Sequence, residues 1–190
     1  MSVGTGDWQV LESEAVAKTP YLEVNREVVV TPTRPEGLNW MVVRRKQAAI
    51  ISARTPEGNY LMVRQERIPV RREFWEFAAG QVDETDVDEA AIRKTAVREL
   101  GEETGYEIGG ELIPMGYYFS SPGFTDEWCH LFLATDVVPR AGGVALDENE
   151  GITECREFAR EELVAMIASG EICDANTLCS VARMTALGLF

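Results

Sequence analysis

The chain has 190 residues, a hydrophobic fraction of 45% and a formal net charge of −14. This length suits one large domain with a short extra element, and the hydrophobic fraction is sufficient for a packed core. The negative charge argues against binding to nucleic acid or to an anionic membrane, because phosphate groups would be repelled. No apolar run reaches transmembrane length, and the first residues lack the apolar core of a signal peptide. We therefore expect a cytoplasmic protein with reduced cysteines, namely Cys129, Cys155, Cys173 and Cys179.

The predicted elements in the first half of the chain are mostly β-strands. A Val-rich alternating segment at residues 21–30 predicts a strand, and residues 31–37, with two prolines and a glycine, predict a turn. Further strands are predicted at residues 41–45, 47–54, 60–65, 112–119, 128–138 and 152–158. A short apolar segment at residues 74–77 leads to Gly80.

Three helices complete the prediction. The longest covers residues 86–104, with Asp86 or Asp88 as its N-cap, and two more are predicted near residues 160–168 and 175–187. Many strands and few helices predict an α+β fold, in which a sheet is flanked by helices, rather than a doubly wound array.

Three glutamates near the end of the long predicted helix are the strongest chemical signal. Glu99, Glu102 and Glu103 stand at i, i+3 and i+4, which places their carboxylates on one helical face. Such a group is either a solvated acidic face or a site for a hard divalent cation, because Mg²⁺ prefers oxygen ligands. The spacing alone leaves both readings open.

The residues around these glutamates carry a family resemblance. Residues 98–106 read RELGEETGY, which resembles the second half of the Nudix box, R-E-U-x-E-E-x-G-U, where U is a bulky apolar residue. All seven fixed or class-defined positions match, and Gly105 sits where a helix would end in a left-handed cap. The resemblance implies a Nudix hydrolase, with an α/β/α sandwich and a mixed sheet.

The first half of the box departs from that pattern. The glycine and the arginine of the family pattern are fourteen residues apart, whereas Gly80 and Arg98 are eighteen apart. Four extra residues are close to one helical turn, so the glutamate face would be retained. Whether Asp86, Asp88 or Glu89 replaces the first glutamate of the box is left open by the spacing.

Motifs outside the box resemble the ADP-ribose pyrophosphatase branch of the family. Residues 65–69 and 75–80 are similar to its Q-Y-R-x-P and E-x-P-A-G stretches, with Glu66 and Ala78 as departures. Pro122 lies sixteen residues after Tyr106, which is the spacing typical of that branch, and residues 147–152 resemble its acidic loop. The resemblance implies hydrolysis of the pyrophosphate bond of ADP-ribose, to AMP and ribose 5-phosphate, or of a related nucleoside diphosphate sugar.

The resemblance also implies roles for individual residues. Glu99, Glu103 and the backbone carbonyl of Ala79 would hold Mg²⁺, for which Mn²⁺ could substitute. Glu102 would share a second metal or hold its water, and Arg98 would orient that carboxylate. These assignments follow from matching positions, not from the spacing alone.

The remaining candidates bind substrate or act as the base. Arg67 would contact phosphate, although it could equally be a surface arginine at a strand end. The base matches Glu150, with Glu127 and Glu148 as rivals, while His130 is interpreted as a packed strand residue. Other substrate contacts are expected from residues in the matching motifs: Trp40, Tyr21, Glu76, Pro122 and Glu127.

The N-terminal residues 1–45 are predicted to form a β-strand dimerisation element, and residues 46–190 the catalytic domain. In the resembled branch, such strands pack against a second subunit and an aromatic stacks on the adenine. Trp40 matches that aromatic and Tyr21 is a second candidate, although Trp40 could instead plug its strand into the core. Hydrolysis of GDP-mannose or ADP-glucose remains an alternative, as does a non-catalytic nucleotide sensor.

Overall fold

A computed structural model describes residues 8–83, 87–145 and 151–190 of the chain. In these ranges the strands are β1 (Gln9–Lys18), β2 (Leu22–Thr31), β3 (Arg34–Arg45), β4 (Ala48–Arg54), β5 (Tyr60–Arg67), β6 (Arg72–Glu76), β7 (Ala78–Gln81), β8 (Tyr106–Glu107), β9 (Leu112–Phe119), β10 (Trp128–Ala134), β11 (Val138–Pro139) and β12 (Ile152–Phe158). The α-helices are α1 (Glu89–Glu99), α2 (Arg160–Ser169) and α3 (Ala175–Ala186). In the described ranges, no helix has the length and apolarity needed to span a membrane.

The chain divides into two compact units. The first contains the described residues up to Lys46 together with Phe119–Trp128, and the second contains Gln47–Tyr118 and Cys129–Phe190. The first unit is built on an antiparallel sheet in the order β1-β2-β3. Several of its large apolar side chains are exposed: Trp8, Val10, Leu11, Val16, Tyr21, Leu38, Trp40 and Met41.

The second unit is built on a seven-stranded sheet in the order β12-β5-β4-β10-β9, with β6 paired to β5 and β7 to β4. Strand β10 runs parallel to β4, while β12, β6 and β7 pair with their neighbours antiparallel. The mixed sheet expected from the sequence is therefore confirmed.

Both faces of β4 are buried, which explains its continuous apolar sequence. Successive side chains point to opposite faces. Ile51 joins one core cluster with Ala96 of α1, whereas Ile50 joins the other with Leu163 of α2 and Met184 of α3. The sheet is thus covered by α1 on one face and by α2 and α3 on the other, which is the expected sandwich.

Helix α1 begins at a capped N-terminus and changes geometry at its end. Asp88 is the N-cap, and its carboxylate accepts a hydrogen bond from the Ala91 N–H at 2.8 Å, while the rival Asp86 lies outside the described residues. The segment Leu100–Thr104 continues as a π-helical turn and ends at Gly105, whose φ is +75°. The sequence predicted an uninterrupted helix here, and the wider turn changes the relative direction of the last glutamates.

Two strand predictions need correction. Residues 34–37, predicted as part of a turn, belong to β3, because only Pro32 and Thr33 form the turn between the paired Thr31 and Arg34. Pro35 is tolerated because β3 is an edge strand. The strand predicted at residues 128–138 ends at Ala134, and Asp136 then adopts a left-handed φ of +52°.

Candidate active site

The central feature of the second unit is the close approach of β7 to the end of α1. A Cβ built on Gly80 would lie 1.6 Å from Oε1 of Glu99, so any side chain at this position would displace the Glu99 carboxylate. Glu99 itself is buried, with 3% of its surface exposed. The glycine that precedes the acidic helix therefore provides the space in which the Glu99 carboxylate lies.

Glu103 faces the neighbouring residue of the same strand. Its Oε2 accepts a hydrogen bond from the Ala79 N–H at 3.1 Å, and only 2% of its surface is exposed. Burial of a carboxylate is unfavourable unless hydrogen bonds or a positive charge compensate for it. Ala79, Gly80, Glu99 and Glu103 are thus brought together, three of them predicted metal ligands.

Arg98 supplies positive charge to this group. Its Nη2 lies 2.6 Å from Glu99 Oε1, and its Nη1 lies 2.6 Å from Glu102 Oε2. The sequence predicted that Arg98 orients Glu102, and the structure adds Glu99 as a second partner. One guanidinium therefore bridges two carboxylates that belong to different turns of the helix.

The donors suit a hard divalent cation chemically. They are carboxylate and carbonyl oxygens, the ligands that Mg²⁺ prefers, and the absence of a side chain at Gly80 lets the Glu99 carboxylate lie against this strand. In the described ranges, no three His, Cys, Asp or Glu side chains already form a group that could hold a metal. Arg98 instead pairs with two of the predicted ligands.

Arg67 and Glu76 form a second charged pair in this unit. Arg67 donates from Nε to Glu76 Oε1 at 2.8 Å, and a second bond links Nη2 to Oε2. Glu76 is buried, while the Arg67 side chain remains 38% exposed. Sequence reasoning named both residues as substrate contacts and did not foresee that they pair with each other.

Asp174, which the sequence analysis did not select, lies close to this pair. It is the N-cap of α3 and accepts a hydrogen bond from the Thr177 N–H at 2.8 Å. Burial raises the pKa of the Asp174 carboxyl to about 6, the charge of Glu76 adds to the rise, and the Thr177 bonds and Arg67 oppose it. The D-A-N-T sequence at residues 174–177 is a recognisable capping signal. Arg67 and Glu76 are distant from it in the chain, so the sequence does not reveal that they lie near Asp174.

The acidic segment with Glu148 and Glu150 lies outside the described residues, but both of its flanks are anchored. The Ala145 N–H donates to the Glu102 carbonyl at 3.0 Å, and the Glu66 N–H donates to the Gly151 carbonyl at 2.9 Å. One flank is therefore bonded to the acidic helix end and the other to the strand that carries Arg67.

In the first unit, Trp40 and the Pro122 loop come together. Trp40 Nε1 donates to the Gly123 carbonyl at 2.9 Å, and the indole remains 49% exposed. It lines a cavity of about 520 Å³ with Trp8, Leu38 and Pro122. This exposure argues against the alternative in which Trp40 only packs its strand into the core. Tyr21 is also exposed but is not among the residues that line this cavity.

Glu127 is held by an arginine that the sequence analysis did not single out. It is buried, with 7% of its surface exposed, and Arg45 Nη1 lies 3.0 Å from its Oε1. The adjacent Arg44 bridges Glu27 and Asp126 at 2.7 and 2.8 Å. The two adjacent arginines at the end of β3 were the sequence feature from which these ion pairs could have been expected.

His130 is placed as the sequence analysis interpreted it, as a half-buried residue of β10. Its Nε2 lies 2.6 Å from Oε1 of Gln47. Burial lowers the pKa of the His130 imidazole.

The second unit thus combines a mixed sheet between helices with buried glutamates that lie against Ala79 and Gly80 of an adjacent strand. A model of the NUDIX domain matches residues 43–179. The chain belongs to this family, whose hydrolases generally use divalent metal ions.

Individual relatives agree with this assignment. The ADP-ribose pyrophosphatase of Bacillus subtilis (strain 168) is 36% identical over 136 residues, which cover 72% of this chain and 70% of that protein. The methanol dehydrogenase activator of Bacillus methanolicus is 33% identical over 140 residues, covering 74% and 72%. The GDP-mannose pyrophosphatase of Escherichia coli (strain K12) is 32% identical over 163 residues, covering 77% and 79%.

A solved structure supports the fold. The crystal structure of an ADP compounds hydrolase matches with a TM-score of 0.75 over 97% of both chains, at 16% sequence identity. The recognition of a Nudix pyrophosphohydrolase with an α+β, mixed-sheet fold is confirmed by these comparisons.

Proposed function

We propose that the protein hydrolyses the pyrophosphate bond of ADP-ribose, or of a closely related nucleoside diphosphate sugar, with Mg²⁺ as its cofactor. Water attacks one phosphorus, the bridging P–O bond breaks, and ADP-ribose gives AMP and ribose 5-phosphate. The observation that carries the proposal is the burial of Glu99 and Glu103 against Ala79 and Gly80. Relatives named as pyrophosphatases of ADP-ribose and GDP-mannose supply the substrate class.

Glu99, Glu103 and the Ala79 carbonyl would hold Mg²⁺, and Mn²⁺ would serve as a substitute. When bound, the cation would neutralise charge on the pyrophosphate and lower the pKa of a ligated water. Glu102 would share a second metal or hold its water. Arg98 keeps Glu102 and Glu99 oriented through the two ion pairs described above.

Glu150 is proposed as the general base that removes a proton from the attacking water. The anchored flanks support this choice, because Ala145 is bonded to Glu102 and Gly151 to Glu66. Glu148 on the same segment is a rival. Glu127 is the weaker rival, because its carboxylate is buried and paired with Arg45.

Nucleotide recognition would use Trp40, Tyr21 and Pro122 around the base, and Arg67 with Glu76 near the phosphates. Arg67 is preorganised by Glu76 and keeps part of its surface accessible. We propose that residues 1–45 are a dimerisation element and residues 46–190 the catalytic domain, so that the homodimer completes the base pocket. The exposed apolar side chains of the first unit support dimerisation. We place the enzyme in the cytoplasm.

GDP-mannose and ADP-glucose are the alternative substrates, because the relatives include GDP-mannose pyrophosphatases. A nucleotide-sensing role without catalysis is less favoured, because Glu99, Glu102 and Glu103 are all retained. A sensor would have no need for a cluster of like charges.

A substrate panel tests the proposal. The purified protein is incubated with Mg²⁺ and ADP-ribose, ADP-glucose or GDP-mannose, and phosphomonoester release is measured for each compound. We expect the highest kcat/KM with ADP-ribose and no release when EDTA replaces Mg²⁺. A higher kcat/KM with GDP-mannose than with ADP-ribose would instead assign the protein to the GDP-mannose pyrophosphatases. If none of the compounds is hydrolysed, the nucleotide-sensing role would be favoured.

A further inference from the structure

The strand that carries Ala79 and Gly80 changes partners one residue after Glu76. Up to Glu76 the chain is β6, which pairs with β5 through Val63. From Ala78 it is β7, which pairs with β4 through Ile51. Phe77 stands between the two strands, where its backbone cannot continue either ladder.

The backbone N–H of Phe77 is instead bonded to helix α3. Thr177 Oγ1 accepts this hydrogen bond at 3.2 Å, from a residue one hundred positions away in the sequence. Both residues are buried. Thr177 lies in the first turn of α3, where its own N–H is capped by Asp174. The Asp174 cap therefore fixes the start of α3, and with it the position of Thr177 beside Phe77.

The two sides of Phe77 carry different parts of the site. On one side Glu76 holds the guanidinium of Arg67. On the other side the Ala79 N–H holds Glu103, and Gly80 accommodates Glu99. Phe77 is therefore the single residue between the strand that holds Arg67 and the strand that faces Glu99 and Glu103.

We infer that Thr177 is a positioning residue, which fixes the strand junction so that the metal half and the phosphate half of the site keep their separation. The inference rests on the proposed function for its substrate. It extends the site to the C-terminal helix, which none of the box or branch motifs contains. Thr177 is fully buried and is not among the residues proposed to hold metal or substrate.

Thr177→Val tests this inference, because valine keeps the shape and removes the acceptor for the Phe77 N–H. We expect a loss in kcat/KM on the order of 10²-fold, the scale for misplacing the reacting groups by about 1 Å through a remote change. Mn²⁺ affinity, measured by electron paramagnetic resonance without substrate, should fall as well. Thr177→Ser keeps the hydroxyl and should restore both quantities to within about threefold.

Ser180→Ala is the matched control. Ser180 lies on the same helix and is fully buried, and its Oγ has no hydrogen-bond partner among the described residues. This substitution should leave Mn²⁺ affinity and kcat/KM unchanged. Thr177→Cys replaces the hydroxyl with a weak acceptor and gives a milder variant to measure if the valine variant does not fold.

A purely structural role predicts a different result. In that case Thr177→Val lowers the melting temperature, while the folded fraction keeps wild-type KM and Mn²⁺ affinity, and the inference is overturned. If the wild-type protein binds Mn²⁺ but hydrolyses no nucleoside diphosphate sugar, the proposed function fails separately. In that case Mn²⁺ affinities that fall from Thr177→Ser to Thr177→Cys to Thr177→Val would support the positioning role. Equal affinities in the three variants would overturn it.

Discussion

The Glu99 carboxylate occupies the space that a side chain at position 80 would fill. Its Oε1, Cδ and Cγ atoms would lie 1.6, 2.1 and 2.8 Å from a Cβ on Gly80. Because Glu99 is buried and paired with Arg98, it cannot simply turn away. Gly80 is therefore required by the position of one carboxylate.

Gly80→Ala should destabilise the protein by about 1–3 kcal/mol, the range for overpacking a buried site. Activity should be lost in the fraction that remains folded, because Glu99 would be displaced. Thermal unfolding and Mn²⁺ binding measure the two effects. The double variant Gly80→Ala/Glu99→Ala should recover stability without recovering metal affinity, and a double variant as unstable as Gly80→Ala would contradict the steric explanation.

Glu103→Gln should reduce hydrolysis by on the order of a hundredfold or more, the scale for removing a key electrostatic group. The amide oxygen can still accept from the Ala79 N–H, so the fold should be retained. Steady-state kinetics at saturating Mg²⁺ provide the measurement. Glu107→Gln, on the exposed strand β8, is the control, and near wild-type turnover of Glu103→Gln would remove Glu103 from the metal site.

Glu150→Gln should lower kcat by about 10²- to 10⁴-fold with little change in KM, which is the usual effect of losing a positioned base. Glu127→Gln should instead lower the melting temperature, because it weakens the pairing of a buried group with Arg45. Kinetics and thermal unfolding of both variants separate these outcomes. A larger loss of kcat in Glu127→Gln would move the base to the Pro122 loop.

Trp40→Ala should raise KM for ADP-ribose by about 5- to 150-fold, since base–aromatic stacking contributes roughly 1–3 kcal/mol. The value of kcat should change little, because the adenine is remote from the breaking bond. Trp40→Phe keeps an aromatic ring but loses the bond to the Gly123 carbonyl. Its KM should therefore lie between the KM of the wild type and that of Trp40→Ala. Sedimentation tests the dimer, and a monomer with full activity at nanomolar concentration would exclude a shared pocket.

Asp174→Asn should stabilise the protein more at pH 7.5 than at pH 4.5. The folded-state pKa of about 6 lies above the usual value of 3.8, so the folded protein holds this proton more tightly than the unfolded chain. The associated stability is present at low pH and is lost as the pH rises through about 6. Asparagine is an equally good N-cap and never ionises. A melting-temperature difference between variant and wild type that is equal at both pH values would contradict this assignment.

Some elements could be predicted from the sequence because their determinants are local. Strands β9 and β12 were predicted with the bounds that the structure gives them, since a Ser-Ser-Pro-Gly sequence follows β9 and Gly151 precedes β12. The N-cap at Asp88 was likewise among the two predicted candidates. Strand β1 was missed because it is exposed along its whole length and carries no buried face to produce a pattern.

Other features depend on contacts between distant residues. The pairing of Arg98 with Glu102 was expected from the sequence, whereas its second contact, with Glu99, was not. The bond between Phe77 and Thr177 spans one hundred positions. Sequence motifs thus named candidate groups for the site, while a support such as the bond between Phe77 and Thr177 became visible only in three dimensions.

The first unit is assembled from two separate stretches of the chain, residues 8–46 and 119–128. Val43, Arg44 and Arg45 of the earlier stretch are bonded to Phe124, Asp126 and Glu127 of the later one. A chimera that exchanged only the N-terminal strands with those of a relative would separate these partners and leave a buried glutamate without its arginine. Recombination of this unit between homologues therefore requires three coordinated crossovers, one after residue 46 and one on each side of residues 119–128.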